Sequence, residues 1–339
     1  MRKRSISNLL AMTTLLLASA GFTACSSSDG DNNNGSDVSL NGGENLETPA
    51  YEDVSALYEV QDDMSKIRSV ELTASGDYII QMGGGTPPKA PKRFAGSKFL
   101  AEYVYRPNII YGRYTKTSEN QFNLENWGTI TVNGTSSITL TPNGSDDPIT
   151  VPVAKKTQYP SNDLTNKLCR TWNFSSFRYI LIIGDKQVHN KEYSSSEAGY
   201  QQFATDLKAL GKKYAYIFDD DDEMYVKANR AHDDDDDDDD EFDIDDIEMP
   251  EYIIFTKAGS YMVYYNEFRL GVATWTWEDL STGLVGYSWN YGGAMDGRHS
   301  GEVNIGFRKD QLAVTELVDP EEGDEGFEEK VIWYLDEKK

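Results

Sequence analysis

A chain of 339 residues with 38% hydrophobic side chains, 21 Tyr, 13 Phe and 6 Trp has the apolar and aromatic material for buried cores, and its length suits two domains. The formal charge of −25 is unaccompanied by any basic stripe and would repel a phosphate backbone, which argues against nucleic acid as a partner. Of the two cysteines, Cys25 is assigned to anchoring below, leaving Cys169 without a partner, so no intrachain disulfide is expected.

The N-terminus reads as a secretory signal. Arg2, Lys3 and Arg4 form a positive region, and Leu9 to Ala20 is an apolar run too short to persist as a membrane span. Phe22-Thr23-Ala24-Cys25 resembles a bacterial lipobox, with Phe22 where an aliphatic residue is usual. That resemblance implies diacylglycerol on the Cys25 thiol and cleavage after residue 24, leaving Cys25 as the membrane anchor. Residues 25 to 50 then read as a tether, because Ser26 to Glu44 is almost entirely Ser, Asp, Asn and Gly. Ser26-Ser27-Ser28-Asp29-Gly30-Asp31 is similar to the serine-and-acid export signal of Bacteroidota lipoproteins, which implies an outer-membrane location facing the cell exterior.

Beyond the tether the pattern is β. In residues 51 to 160, Leu72-Thr73-Ala74-Ser75-Gly76-Asp77-Tyr78 sets a frame of apolar-Thr-x-x-Gly-x-Tyr. A hairpin follows, Trp127 to Val132 and Thr135 to Thr141 around Asn133-Gly134, a pair suited to a two-residue I′ turn. Ile149 to Val153 supplies a last strand. Residues 161 to 339 repeat the order: Phe255-Thr256-Lys257-Ala258-Gly259-Ser260-Tyr261, then Gly301 to Ile305 matching Gly128 to Val132, Leu312 to Thr315 matching Ile138 to Thr141, and Val331 to Leu335. Further turn signals stand at Gly184-Asp185 and Ser281-Thr282-Gly283. One amphipathic helix interrupts the second half, with a capping box from Ser194 and Glu197, an apolar stripe of Tyr200, Phe203, Leu207 and Leu210, and Gly211 as its stop. The fold class is mostly β, two related antiparallel meanders.

Leu168-Cys169-Arg170-Thr171-Trp172 opening the second domain, followed by Phe255-Thr256-x-x-Gly-x-Tyr261, Trp275 and a closing pair of strands, resembles the lipocalin-like lipoprotein domains of Bacteroidota. Arg170 stands where a lipocalin opening has glycine. The resemblance implies small up-and-down barrels and assigns no catalytic residue.

Two features invite a binding role. Asp233 to Asp240 is a run of eight aspartates within an acidic segment, 219 to 248, that contains no glycine to turn carboxylates around an ion. It reads as a disordered, solvated loop with weak Ca²⁺ association, and no specific metal site or cofactor is expected. Strand alternation puts Trp275 with Trp277, and Tyr287 with Trp289 and Tyr291, on single strand faces, a set of rings able to stack on sugars. Asn290 and Asp296 would serve the hydroxyls, although for any given ring barrel core or cross-strand pairing is the favoured reading.

The three histidines, His189, His232 and His299, lack metal-ligand spacing, and Ser300 beside His299 lacks a nucleophile elbow. Cys169, at a strand start, reads as a buried inert thiol. The expected function is therefore non-catalytic: a surface-tethered binding module, for glycans. A fimbria-like assembly subunit and a carrier of a small apolar ligand are the alternatives.

Replacing Cys25 by Ser should abolish incorporation of labelled fatty acid and move the protein from the membrane to the soluble fraction. Unchanged labelling would remove Cys25 from its anchoring role.

Overall fold

The computed structural model describes residues 37–83, 92–94, 97–102, 109–145, 147–184, 186–214, 250–266, 269–288, 300–318 and 327–338. The signal segment, Cys25 and the acidic segment 219–248 lie outside the described residues.

Each half of the chain closes a barrel of eight antiparallel strands. The first uses β1 (Ala56–Val60), β2 (Ile67–Leu72), β3 (Asp77–Met82), β6 (Ile109–Lys116), β7 (Gln121–Leu124), β8 (Gly128–Asn133), β9 (Ser137–Pro142) and β10 (Ile149–Lys155), with β10 returning to pair with β1. A small hairpin, β4 (Lys92–Phe94) and β5 (Ser97–Glu102), is inserted after β3. A short helix, α1 (Asp163–Leu168), precedes the second barrel. That barrel runs β11 (Thr171–Ile183), β13 (Tyr252–Phe255), β14 (Ser260–Asn266), β15 (Arg269–Asp279), β16 (Leu284–Ser288), β17 (Ser300–Arg308), β18 (Gln311–Val318) and β19 (Phe327–Glu337). Pairing of β19 with β11 closes it. Inserted after β11 are β12 (Lys186–Ser194) and α2 (Glu197–Tyr214).

The strand orders of the two barrels are the same, and the repeated frame has the same hydrogen bonds in both. At the β2–β3 turn the Asp77 N–H donates to Thr73 Oγ1 at 3.0 Å, and at the β13–β14 turn the Ser260 N–H donates to Thr256 Oγ1 at 3.1 Å. Gly76 and Gly259 sit at φ of 85° and 81°, left-handed conformations that strain any other L-residue, so the turn needs its glycine. Each glycine carbonyl then accepts from the next strand of its barrel, from the Tyr114 N–H at 2.8 Å and the Trp275 N–H at 2.9 Å.

The hairpin around Asn133-Gly134 forms with Ile130 opposite Leu140 and Val132 opposite Ile138. Its register pairs Asn133 with Ser137, so the connection is the three-residue loop 134–136 rather than a two-residue turn. The amphipathic helix also differs in its ends. Ser194 finishes β12, and the first-turn Gly199 N–H donates instead to Ser196 Oγ at 3.3 Å. Gly211 lies inside α2, which continues to Tyr214.

Inward residues alternate along the strands of the two barrels. The first barrel is filled by aliphatic and aromatic side chains including Tyr78, Tyr114, Phe122, Ile130 and Leu140. The second is filled mainly by rings, among them Trp172, Phe177, Phe255, Tyr261, Phe307 and Trp333. Eight strands leave just enough room for such packing. On β11 a bulge between Phe174 and Ser176 shifts the alternation.

The barrels meet through equivalent outer faces. Ile79, Ile109 and Tyr111 of β3 and β6 pack on Tyr252, Ile254, Met262, Tyr264, Leu270 and Val272 of β13, β14 and β15. Ile79 and Met262 occupy the same place after the repeated frame, so the face-to-face contact is that of a fused homodimer. Buried polar groups fix its register. Asp77 accepts from Arg113 at 2.9 Å, Tyr111 at 3.2 Å and, across the junction, Thr171 Oγ1 at 2.9 Å. Burial pushes the Glu71 carboxyl up, against hydrogen bonds from Thr256 and Ser260 of the other barrel and the charge of Lys156.

Residues 39 to 46 are docked on the second barrel. Residues 37 to 50 were expected within the tether, yet Ser39 exchanges backbone hydrogen bonds with Phe307 at 2.9 and 2.8 Å, and the Gly43 N–H donates to the Lys309 carbonyl at 2.6 Å. Asn45 donates to the Asp310 carboxylate at 3.2 and 3.0 Å, while Leu40 and Leu46 pack on the second core. A Cβ at Gly42 would lie 2.6 Å from the Phe307 Cβ, so only glycine admits this approach. Arg170 is spent on the same region. Its guanidinium donates to the carbonyls of Asn166, Lys167 and Glu47 and pairs with Glu337.

Opposite this strap, α2 lies against β12 and β11. Phe203 meets Phe177 and Tyr179 at ring separations of 5.1 and 5.2 Å, and Tyr200 meets Phe177 at 5.0 Å. A polar chain secures it. Tyr193 donates to Asp206 at 2.8 Å, leaving its oxygen to accept from His189 Nε2 at 2.8 Å, and Lys191 donates to the same carboxylate at 2.6 Å.

Two outcomes follow from this packing. A chain of residues 47–339 should unfold at a lower temperature than one of residues 37–339, having lost roughly 3 kcal/mol of apolar burial with Leu40 and Leu46. Equal calorimetric midpoints would return residues 37 to 46 to the tether. For α2, burial lowers the His189 pKa from its ordinary 6.5 against the opposing charge of Asp206, so the folded network holds neutral imidazole. Its contribution is complete above the unfolded value and is lost as pH falls through the lower folded one. Amide exchange of α2, corrected for intrinsic rates, should therefore lose protection as pH falls below the ordinary histidine value of 6.5, and His189→Gln should flatten the dependence. Identical profiles in the two proteins would dismiss the histidine.

Candidate functional site

The two ends of the second barrel differ in chemistry. At one end α1 contributes Leu164 and Leu168 to the core, and the strap adds Leu40 and Leu46. Asn162 caps the helix, accepting from the Thr165 N–H at 2.8 Å. Trp277 Nε1 donates to Thr165 Oγ1 at 3.1 Å, and Trp275 Nε1 to the Thr256 carbonyl at 3.0 Å. Tyr159 covers Trp275 at 4.8 Å. This end is closed.

Among the residues expected to form an aromatic platform, Trp275, Trp277 and Tyr287 all face into the barrel. Trp275 and Tyr287 are cross-strand neighbours, only 3% and 4% exposed. Trp277 stands edge-on to Trp275 at 5.5 Å and is half-buried against α1. The alternation was legible, but closure of the sheet turns that face inward, so these three rings present no open stacking surface. Trp289, Asn290, Tyr291 and Asp296 lie outside the described residues.

The opposite end, the mouth, is where β14 leads to β15, β16 to β17, β18 to β19 and β11 to β12. Here the interior becomes polar. Glu316 on β18 continues the inward series of Leu312 and Val314, and Glu329 on β19 begins the series continued by Val331, Trp333 and Leu335. Both acids are buried, at 3% and 2% exposure. The Tyr179 hydroxyl donates to Glu329 Oε1 at 2.7 Å, and that of Tyr287 to Glu316 Oε1 at 3.4 Å. Tyr287 can lean across the barrel because its partner on β17 is Gly301, where a Cβ would stand 2.6 Å from the phenol oxygen.

The first barrel shows that folding does not require these groups. Tyr114 and Trp275 are equivalent, each bonded to its turn glycine, and their cross-strand partners are Leu124 and Tyr287. The same ladders, followed from Gly128 and Gly301, set Leu140 at the place of Glu316. Tyr179 and Glu329 stand on added length: β11 has 13 residues against 5 in β1, and β19 has 11 against 7 in β10. The second barrel has grown at its mouth, and the growth carries the polar side chains.

Tyr179, Glu316 and Glu329 escaped the sequence reading. The available signal was an acid at an inward step of an otherwise apolar alternation, Leu312-x-Val314-x-Glu316 and Glu329-x-Val331-x-Trp333. In isolation either acid reads as an ordinary solvent-facing residue near a strand end. Cys169 is buried near the closed end, where desolvation pushes its thiol up despite nearby Lys257. Among the described residues no group of three or more His, Cys, Asp or Glu is arranged to hold a metal ion.

At the mouth two buried carboxylates and two buried phenols thus stand beside the aromatic interior. Comparison with protein-family models, with curated proteins and with solved structures found no match to this chain.

Proposed function

We propose that the protein is a lipid-anchored, non-catalytic binding module whose second barrel receives a hydroxyl-rich ligand, a glycan, at its mouth. The observation carrying this reading is the contrast between the repeats. The same barrel in the same chain is built with Leu124 and Leu140 where the second uses Tyr287 and Glu316. Burying carboxylates costs stability that an apolar residue would not, and departures of this kind concentrate at functional positions. Carboxylate acceptors beside aromatic faces suit a sugar, whose hydroxyls donate and whose C–H faces stack on rings.

Tyr287, singled out among the aromatic residues of the sequence, donates to Glu316. The apolar-carrier alternative has less support, because rings of the chain itself fill the barrel interior. The reading does not depend on calcium; association of the ion with segment 219–248 is a separate property.

The test is binding of residues 37–339 to a glycan array, with and without Ca²⁺, alongside Glu316→Gln, Tyr287→Phe and Trp289→Ala. Loss of a charged hydrogen bond should weaken binding about 10-fold or more for Glu316→Gln, with circular dichroism confirming that the variant folds. No binding by the parent protein, or equal binding by all three variants, would overturn the proposal.

A further inference from the structure

The acids at the mouth are buried, so a ligand reaches them only if something moves. The strands that carry Tyr179 and Glu329 are poor candidates. β19 is paired on both edges, with β11 along Trp172 to Ile183 and with β18 along Leu312 to Val318, and parting them would break backbone hydrogen bonds in the barrel wall. The other edge of β11 is different. There β12 and β13 lie end to end, Ser194 level with Ser176 and Tyr252 level with Asn173, and the chain enters α2 at the break between them. Among the described residues β12 has no ladder on its far edge.

Resting on the reading of the mouth as the binding site, we infer that α2 is its lid: closed over Tyr179 and Glu329 in this structure, and opened by lifting from β12. Phe203 lies against Tyr179 at 5.2 Å, and the Tyr179 hydroxyl holds Glu329 at 2.7 Å, so raising the helix uncovers that pair. The root of the helix is fixed. The Ser195 N–H donates to the Ser175 carbonyl at 2.9 Å, and a Cβ at Gly199 would stand 2.0 Å from the Ser194 carbonyl oxygen, so the first turn is pressed against the end of β12. Beyond the root the helix is held by side chains, the buried rings of Tyr200 and Phe203 and the half-buried Leu207 and Leu210. Among the described residues no backbone hydrogen bond joins α2 to a strand. An element held in this way opens more readily than one held in a ladder.

Asp206, midway along α2, is the fastening. It accepts from Lys191 at 2.6 Å and Tyr193 at 2.8 Å, both on β12, and from Gln202 of its own helix at 2.9 Å. The Lys191 and Asp206 side chains are 45% and 24% exposed, so releasing the helix leaves no buried charge without a partner. The first barrel again serves as the comparison. There β1 passes to β2 with no helix between them, and Leu124 and Leu140 stand where Tyr287 and Glu316 are. Helix and polar mouth occur together in one repeat and are absent together from the other.

The experiment uses the full chain carrying Cys25→Ser; Cys169 is buried and stays unlabelled in the folded protein. A carbodiimide with glycine ethyl ester labels carboxyls that reach solvent, and peptide mass spectrometry reads the rate at Glu329. Glu71, buried in the junction between the barrels, reports global opening in the same sample. Asp206→Ala should speed labelling of Glu329 about 10-fold, as loss of a charged hydrogen bond implies, and leave Glu71 unchanged. In the double variant Lys191→Cys, Asp206→Cys, a reducible bismaleimide joining the two thiols should slow Glu329 below the parent rate, and reduction should release it. Labelling of Glu329 that ignores the bridge, or that rises only in step with Glu71, would overturn the lid. The glycan array tests the underlying reading separately: no binding there, beside Glu329 labelling governed by α2, would overturn the sugar and support the lid.

Discussion

The second barrel is organised by the number of partners that β11 must serve. One edge pairs with β19 from Trp172 to Ile183, which closes the barrel. The other edge pairs with β13 over only three residues, Thr171 to Asn173, and beyond the bulge it pairs with β12. β13 therefore departs early, and the wall between it and the upper part of β11 must be completed by something other than a ladder. The rings of α2 complete it. The length of β11 that produces this problem also carries Tyr179 to the mouth, so the insertion and the polar site follow from a single extension.

Because the two barrels share one strand order, each is a control for the other. Features present in both belong to the fold: the Thr-x-x-Gly turn, the strand order and the apolar interior. Features present in one require a separate reason. The junction is instructive here. Equivalent faces meet, but Asp77 of the first repeat is Ser260 in the second, and Glu71 is Ile254. The acid at position 77 gains Thr171 across the junction, which an identical pair of faces could not have supplied without a second buried charge. Glu192 plays a comparable role on the outer wall. Burial would raise its carboxyl, but hydrogen bonds from Arg308, Ser176 and Arg178 outweigh that and hold it down to about 2. It links β11, β12 and β17 while Arg308 covers the Tyr334 ring at 3.5 Å.

The architecture was legible wherever local chemistry determines it. Gly76 and Gly259 announce the same turn twice, and the order of the later strand pairs establishes the repeat, because positive φ and period-two alternation act over a few residues. The first barrel's closure, β1 on β10, and the meeting of outer faces leave no local trace. Ile79 and Ile254 look like interior residues of their strands until the partner barrel is present. The strap illustrates the opposite failure. A segment of Ser, Asn and Gly reads as a leash by composition, yet here glycine is what lets the backbone lie against Phe307. For the mouth, Tyr287 was found through its aromatic alternation, while Glu316 and Glu329 were hidden because acids at strand ends are ordinarily solvated.

Carboxylates at one end of a barrel are tolerable only if stability is secured elsewhere. The closed end does this with α1, the strap and the indole hydrogen bonds of Trp275 and Trp277, and the first barrel does it through a shared apolar face. Tyr179 and Tyr287 reduce the remaining cost by donating to the two acids, holding the carboxylates in place rather than removing them. An isolated eight-stranded barrel must spend its whole interior on its own cohesion. Fused to a partner and fastened at one end, the second barrel is free of that requirement at the other, and this is why the polar groups collect at the mouth and not along the whole core.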